Sequence, residues 1–291
     1  MIPAAFDYHR ADTLADALAL LERCGDGAKL LAGGQSLLPL LKLRLGMVTD
    51  LVDIGGISGL EYIKEEGGFL KIGAMTREST VERSELIRSR YPILLDTAAV
   101  VADPLVRNRA TLGGNLAHAD PANDHPATMV ALGATVVARA PGGERTIPID
   151  QFFIDILSTA LKPNEILTEI RIPTPPPKSG GAYLKLERKV GDFATAAVAA
   201  QVTLRQSGEV ERARIALTDA GSVALEAIQA EQFLQGKKPD GATIAEAARL
   251  AAQAASPTAD RRGSVEYKRE MARVLTVRAL RKAVERAGGR S

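Results

Sequence analysis

Tryptophan is absent and cysteine occurs once, at Cys24. A single thiol excludes an internal disulfide, and it excludes an iron–sulfur cluster ligated by this chain's own cysteines. Aromatic residues make up only 4%, too few for the stacking platforms that hold single-stranded nucleic acid. Charge of one sign is also lacking: 37 Lys and Arg against 35 Asp and Glu leave a net +2, no electrostatic footprint for a nucleic acid. No apolar run approaches the ~20 residues of a membrane-spanning helix. Met1 to Asp7 lacks the basic and apolar regions of a signal peptide, so the cytoplasm is the expected location. The familiar motifs are missing too. Without G-x-G-x-x-G or G-x-x-x-x-G-K-[ST] there is no Rossmann or P-loop fingerprint. Without G-x-S-x-G or a Cys–His signature, hydrolysis and acyl transfer are disfavoured, and no catalytic residue is assigned.

What is present is a chain of 291 residues with ordinary globular composition, long enough for two or three units. Apolar residues at helical spacing predict a helix from Leu14, capped by Asp12 or Thr13 and ended by Gly25 and Gly27. Lys29–Ala32 and Val48–Ile54 read as strands around a short helix at Leu37–Leu41, with Ser36 as its cap. Strands are expected at Leu60–Ile63, Phe69–Ile72, Ala134–Arg139 and Glu165–Ile172, with helix over most of Thr80–Val101 and Pro126–Leu132. Pro173–Gly181 reads as a linker. Beyond it come three antiparallel strands, Ala182–Arg188, Ala196–Arg205 and Val210–Thr218. Three helices close the chain, at Val223–Leu234, Thr243–Ala255 and Val265–Ala287. Basic residues crowd the last helix and its approach (Arg261, Arg262, Lys268, Arg269, Arg273, Arg278, Arg281, Lys282), a pattern that reads as a solvated face or a surface for an acidic partner.

Two glycine pairs organise the sequence. Thr111-Leu112-Gly113-Gly114-Asn115 runs into a Pro-bounded loop ending at Asp124, and Lys29-Leu30-Leu31-Ala32-Gly33-Gly34-Gln35-Ser36-Leu37 has the same grammar near the N-terminus. Glycine lets main-chain N–H groups approach a ligand closely, and successive N–H groups in one concavity favour phosphate oxygens. Thr111 and Asn115 add hydrogen-bond donors, and Asp124 can accept from sugar or ribityl hydroxyls. Two such loops can close on a pyrophosphate from both sides, which requires Gly33 and Gly114 to be neighbours in space. His118, Asp120, Asp124 and His125 place imidazoles and carboxylates in one short segment, but their spacing matches no zinc pattern and no metal is expected.

Ala32–Ser36, Thr111–Asn115, Ala117-His118-Ala119-Asp120-Pro121, Ile72–Thr76 and Lys185–Ala197 together resemble the FAD-binding medium subunit of molybdenum hydroxylases, in the carbon monoxide dehydrogenase and xanthine dehydrogenase group. The resemblance covers essentially the whole chain. It implies an α+β fold: a two-part PCMH-type (vanillyl-alcohol-oxidase-like) FAD-binding domain, then a smaller C-terminal domain of antiparallel strands and helices. The corresponding divisions are 1–58, 59–175 and 180–291. It implies FAD contacts at Lys29, Leu30, Leu31, Ala32, Gly33, Gly34, Gln35, Ser36 and Leu37, and at Ala110, Thr111, Gly113, Gly114, Asn115, Ala117, Asn123 and Asp124. Val101, Ala102 and Val106 would line the flavin, Ile166 and Leu167 would pack on its ring, Lys185 would lie near it, and Phe193 could cover it. A cation near the ring would stabilise the reduced, anionic cofactor.

By the same resemblance, electrons come from [2Fe–2S] clusters of a small partner subunit, which receives them from a large subunit carrying a molybdenum–pterin cofactor. The expected assembly is a heterotrimer, itself dimerised, that passes electrons to an external acceptor. The single cysteine agrees with clusters housed elsewhere, and it argues against a 4-hydroxybenzoyl-CoA reductase β subunit, which needs cluster-binding cysteines. Two alternatives remain at this level. One is a self-sufficient FAD-dependent oxidoreductase of enolpyruvate-reductase type; the other is a binding or assembly protein that holds no flavin.

Overall fold

The computed structural model describes residues 1–288. Its first sheet is a small parallel one. Strands β1 (Asp7–Arg10), β2 (Ala28–Leu31) and β3 (Asp50–Asp53) stand in the order β1-β3-β2, with helix α1 (Leu14–Cys24) and the short α2 (Leu37–Lys42) as connections. Thr13 caps α1, its hydroxyl accepting from the Asp16 N–H while the Asp16 carboxylate accepts from the Thr13 N–H, a reciprocal capping box. Ser36 makes no such bond at α2, so the expected cap there is not formed.

A five-stranded antiparallel sheet follows: β4 (Ile63–Glu66), β5 (Phe69–Gly73), β6 (Thr135–Ala140), β7 (Gly143–Pro148) and, beyond the two-stranded hairpin of β8 (Phe153–Asp155) and β9 (Ser158–Thr159), β10 (Ile166–Pro173). The order is β4-β5-β10-β6-β7. The strand expected to end at Ile63 instead begins there. Between β5 and β6 the chain leaves the sheet for six helices: α3 (Glu78–Arg83), α4 (Glu85–Arg90), α5 (Pro92–Ala98), α6 (Pro104–Arg107), α7 (Leu112–His118) and α8 (Asp124–Leu132). The second glycine pair lies in the first turn of α7.

The expected linker is shorter than read, because β10 runs through Pro173 and β11 (Ser179–Leu186) begins before Gly181. The third sheet has four strands rather than three: β11, β12 (Ala196–Leu204), β13 (Val210–Thr218) and β14 (Leu225–Glu226). The extra one lies inside the expected helix at Val223, where Leu225 and Glu226 pair with Leu217 and Ala216 and confine α9 to Ile228–Leu234. Helices α10 (Gly241–Ala254) and α11 (Val265–Arg286) complete the chain.

Strand β12 is buried on both faces, and its alternation shows why. Ala197 and Ala199 belong to the core shared with α5 and α8, whereas Ala196, Val198, Ala200 and Val202 belong to the core under α10 and α11. Small residues let helices approach both faces of one strand. The third sheet is therefore seated on helices of the second unit, and residues on β11 come against α8. The basic approach to the last helix is not simply solvated. Lys268 is buried and bonds Asp219 at 2.7 Å, Arg262 reaches Asp192 at 2.9 Å, and Lys282 reaches Asp96 at 3.0 Å.

Candidate functional site

The two glycine loops are neighbours. A Cβ on Gly33 would fall on the carbonyl oxygen of Arg109 and within 2.9 Å of the Ala110 Cα, and a Cβ on Gly114 would sit 3.7 Å from that of Ala32. The close approach of β2's exit to the segment before α7 thus depends on glycine. The second residue of the first pair, Gly34, has φ +74°, in the left-handed region that favours glycine.

Past that turn the backbone N–H groups of Gly33, Gly34, Gln35 and Ser36 find no acceptor among the described residues; the Gln35 side chain bends back to the Gly33 carbonyl at 3.3 Å. These residues are half-buried or exposed, so a ligand can reach them. Four donors in succession beside a left-handed glycine make an anion nest.

The second loop is wired differently. The N–H groups of Leu112 and Gly113 donate to the carbonyls of Thr76 and Ala74, each at 2.9 Å, and that of Gly114 donates to Thr111 Oγ1 at 3.2 Å. The expected second nest of glycine N–H groups is not formed, because strand-edge carbonyls and the helix cap take those donors. Gly113 is instead a packing glycine: its Cβ would stand 2.6 Å from both Cβ and O of Ala74. What this loop presents is side chains. The Thr111 hydroxyl, while accepting from Gly114, keeps its own proton to donate. The Asn115 side-chain oxygen is buried without a partner, and Asn123 fixes the backbone beneath it through a 3.1 Å bond to the Asn115 carbonyl. An orphaned buried amide oxygen is uncommon enough to need a partner from outside the chain.

Asp124 is buried, at 5% exposure, and already engaged. Its two oxygens accept from the Tyr183 hydroxyl at 2.6 Å and from Lys185 Nζ at 3.0 Å. Lys185 also donates to the Val100 carbonyl at 3.0 Å, and Glu187 stands 3.5 Å away. Desolvation pushes the Asp124 carboxyl up, opposed first by Lys185, and pushes the Tyr183 hydroxyl well above its usual value. Tyr183 therefore stays protonated as a donor. Tyr183 and Lys185 are spaced by two on β11, so they share one face of the strand, turned to α8 and the end of α5, and Glu187 follows just past the strand's end. That spacing was the available signal for Tyr183, which motif reading overlooked.

Val101 is buried and Val106 half-buried, while Ala102 has the strained φ of +45°. Arg107 Nη1 holds this bend by donating to the carbonyls of Val101 and Ala102, at 3.1 and 3.4 Å. Gly191 closes on the Ala102 carbonyl, where a Cβ would come to 3.0 Å. The loop carrying Phe193 thus lies beside Ala102 and near the carbonyl that Lys185 holds. Phe193 is exposed, with Arg262 5.8 Å above its ring.

Ile166 and Leu167 are buried in cores. Ile166, 1% exposed, packs into the core of the first unit, and Leu167 packs into the main core. Lys29 and Ala117 are exposed, Leu30, Leu31, Leu37 and Ala110 half-buried. His118, Asp120, Asp124 and His125 do not converge: His118 reaches only Asp120, at 3.9 Å, and His125 is fully buried against Glu78 at 2.7 Å.

Comparison with known proteins gives a consistent picture. Residues 4–175 match the family described as the FAD binding domain in molybdopterin dehydrogenase, and residues 181–283 match the CO dehydrogenase flavoprotein C-terminal domain. The carbon monoxide dehydrogenase medium chain of Hydrogenophaga pseudoflava is 44% identical over 97% of this chain and 98% of its own length. The xanthine dehydrogenase FAD-binding subunit of Escherichia coli O157:H7 is 31% identical over 97% of each. Among solved structures, quinoline 2-oxidoreductase from Pseudomonas putida 86 superposes with a TM-score of 0.92 at 36% identity, covering 99% of both chains.

Proposed function

Because this chain belongs to the family of FAD-binding subunits of molybdopterin dehydrogenases, we propose that the groove between its two glycine loops holds the FAD diphosphate. It is an electron-transfer subunit of the medium-chain type, a part of a multi-subunit molybdenum oxidoreductase. When bound, FAD supplies a carrier that takes electrons one at a time and releases them in pairs.

The chain's own residues fit that guest. The free N–H groups from Gly33 to Ser36 suit diphosphate oxygens, and the Thr111 hydroxyl adds a donor from the facing loop. The unpartnered Asn115 oxygen suits a ribityl or ribose hydroxyl. Asp124 retains lone pairs beyond those used by Tyr183 and Lys185, and the Lys185 side chain stands buried beside it. The observation that carries the reading is the set of four adjacent unpaired N–H groups facing a second loop that glycine alone allows so close.

The same reading divides the chain at 58–59 and across 175–180, in keeping with its three larger sheets. It gives the chain an iron–sulfur small subunit and a molybdopterin-bearing large subunit as partners, in a cytoplasmic assembly. One cysteine cannot ligate a cluster, and no helix among the described residues is long and apolar enough to cross a membrane. Leu43, Leu45 and Met47, on the segment after α2, are exposed apolar side chains of the kind a partner covers.

The test is flavin uptake by the purified chain. FAD should bind about one per chain, and riboflavin, which lacks the diphosphate, at least ~100-fold more weakly, the equivalent of one or two charge-assisted hydrogen bonds. Equal affinity for the two would sink the diphosphate assignment; failure to take up FAD at all would sink the site.

A further inference from the structure

One group of ligating side chains converges outside the groove and is used by nothing described above. His9 on β1, Cys24 at the end of α1 and Asp50 at the start of β3 bring a ring nitrogen, a sulfur and a carboxylate oxygen within 4.8 Å of one another. We propose that these three residues bind a divalent cation of the zinc class.

The donor set is what such an ion selects: a thiolate, an imidazole and a carboxylate, borderline-soft to hard. Magnesium and calcium would take oxygen ligands only. One edge of the group is near that of a tetrahedral centre. His9 Nε2 and Asp50 Oδ1 are 2.8 Å apart, and around zinc with bonds of ~2.0–2.1 Å they would stand ~3.3 Å apart, an opening of about half an ångström. The second oxygen of Asp50 accepts from the Thr49 hydroxyl at 2.8 Å, the outer bond that orients a coordinating carboxylate. All three residues are half-buried, which leaves a path for the ion and room for water as fourth ligand.

A nucleophilic role for Cys24 fits less well. The His9 ring nitrogen is bonded to Asp50 rather than to the sulfur, and partial burial, then the Asp50 carboxylate, push the thiol up rather than down. Binding a cation there forms the S–metal bond as the S–H bond breaks, and the proton leaves to solvent. Bound there, the ion would tie β1 and α1 to β3, the central strand that also pairs with β2, which delivers Gly33 to the first loop.

The full flavin-loaded chain, treated with a chelator and then given zinc chloride, tests this. Cys24 is its only thiol, so alkylation by iodoacetamide reports on that sulfur without ambiguity. Zinc should bind about one per chain, slow the alkylation and raise the melting temperature. Cys24→Ser and His9→Gln should each weaken zinc binding at least about 100-fold, beyond the ~10–100-fold typical of losing an outer-shell partner, with an unchanged flavin spectrum. An alkylation rate in the unaltered chain that ignores zinc, or zinc binding that survives both substitutions, would overturn the proposal. Neither result depends on whether the groove has been read correctly.

Discussion

The two glycine pairs are spelled alike and wired in opposite ways. At Gly33–Gly34 the backbone turns through a left-handed residue and leaves four N–H groups without acceptors among the described residues. At Gly113–Gly114 the N–H groups are taken by Ala74, Thr76 and Thr111, and the absent side chain serves packing. One loop offers backbone, the other offers the Thr111 hydroxyl and the Asn115 amide. A glycine pair in a sequence thus announces close approach, but whether a ligand or another strand makes that approach is set by what lies opposite. Here Gly33 is what lets the loops approach, since a Cβ there would fall on the Arg109 carbonyl, whereas one on Gly114 would make only ordinary contact with Ala32.

The contrast predicts a ranking of damage. Gly33→Ala should have the largest effect, because its methyl meets a backbone carbonyl that cannot swing aside, and the loops must part. Flavin content per chain should fall close to zero, while the melting temperature falls only modestly, since the cores lie elsewhere. A variant that kept its flavin would show that the two loops do not act jointly. Gly113→Ala should rank second and through stability. Overpacking against Ala74 costs about 1–3 kcal/mol, read as a lower denaturation midpoint with unchanged slope, and the chains that remain folded should still take up FAD.

The sequence discloses this site unevenly, and the reasons are physical. The first sheet's β2 and β3 are short segments bounded by glycine or aspartate, and β13 is legible to the residue because the turn Gln206-Ser207-Gly208-Glu209 marks its start. Strand β1, Asp-Tyr-His-Arg, shows no apolar alternation, because it lies at an exposed edge and is held by pairing with β3. Strand β14 is two residues that the partner strand extracts from a helical pattern. The adjacency of the loops could be anticipated from their shared grammar. The occupation of the Gly113 N–H could not, because it depends on a carbonyl of Ala74, some forty residues earlier. Nor could the cage around Asp124, assembled from a strand that begins inside the expected linker.

The finest discrimination comes from two hydroxyls, Thr111 and Ser36, one in each loop. Thr111 does two things in the proposed complex: it caps α7 through its bond from Gly114, and it donates to the diphosphate. Ser36 makes no cap bond, so only its donation to the cofactor would be lost on substitution. Thr111→Ala should therefore cost about 1 kcal/mol of stability, the usual value for an N-cap, whereas Ser36→Ala should stay within about 0.5 kcal/mol. Both should weaken FAD binding by a similar factor, about tenfold for one bond to a charged group. Stability separates the two residues while affinity does not. If Thr111→Ala lost stability but no affinity, the second loop would be scaffold alone, and the diphosphate would rest on the backbone of Gly33 to Ser36 without help from across the groove.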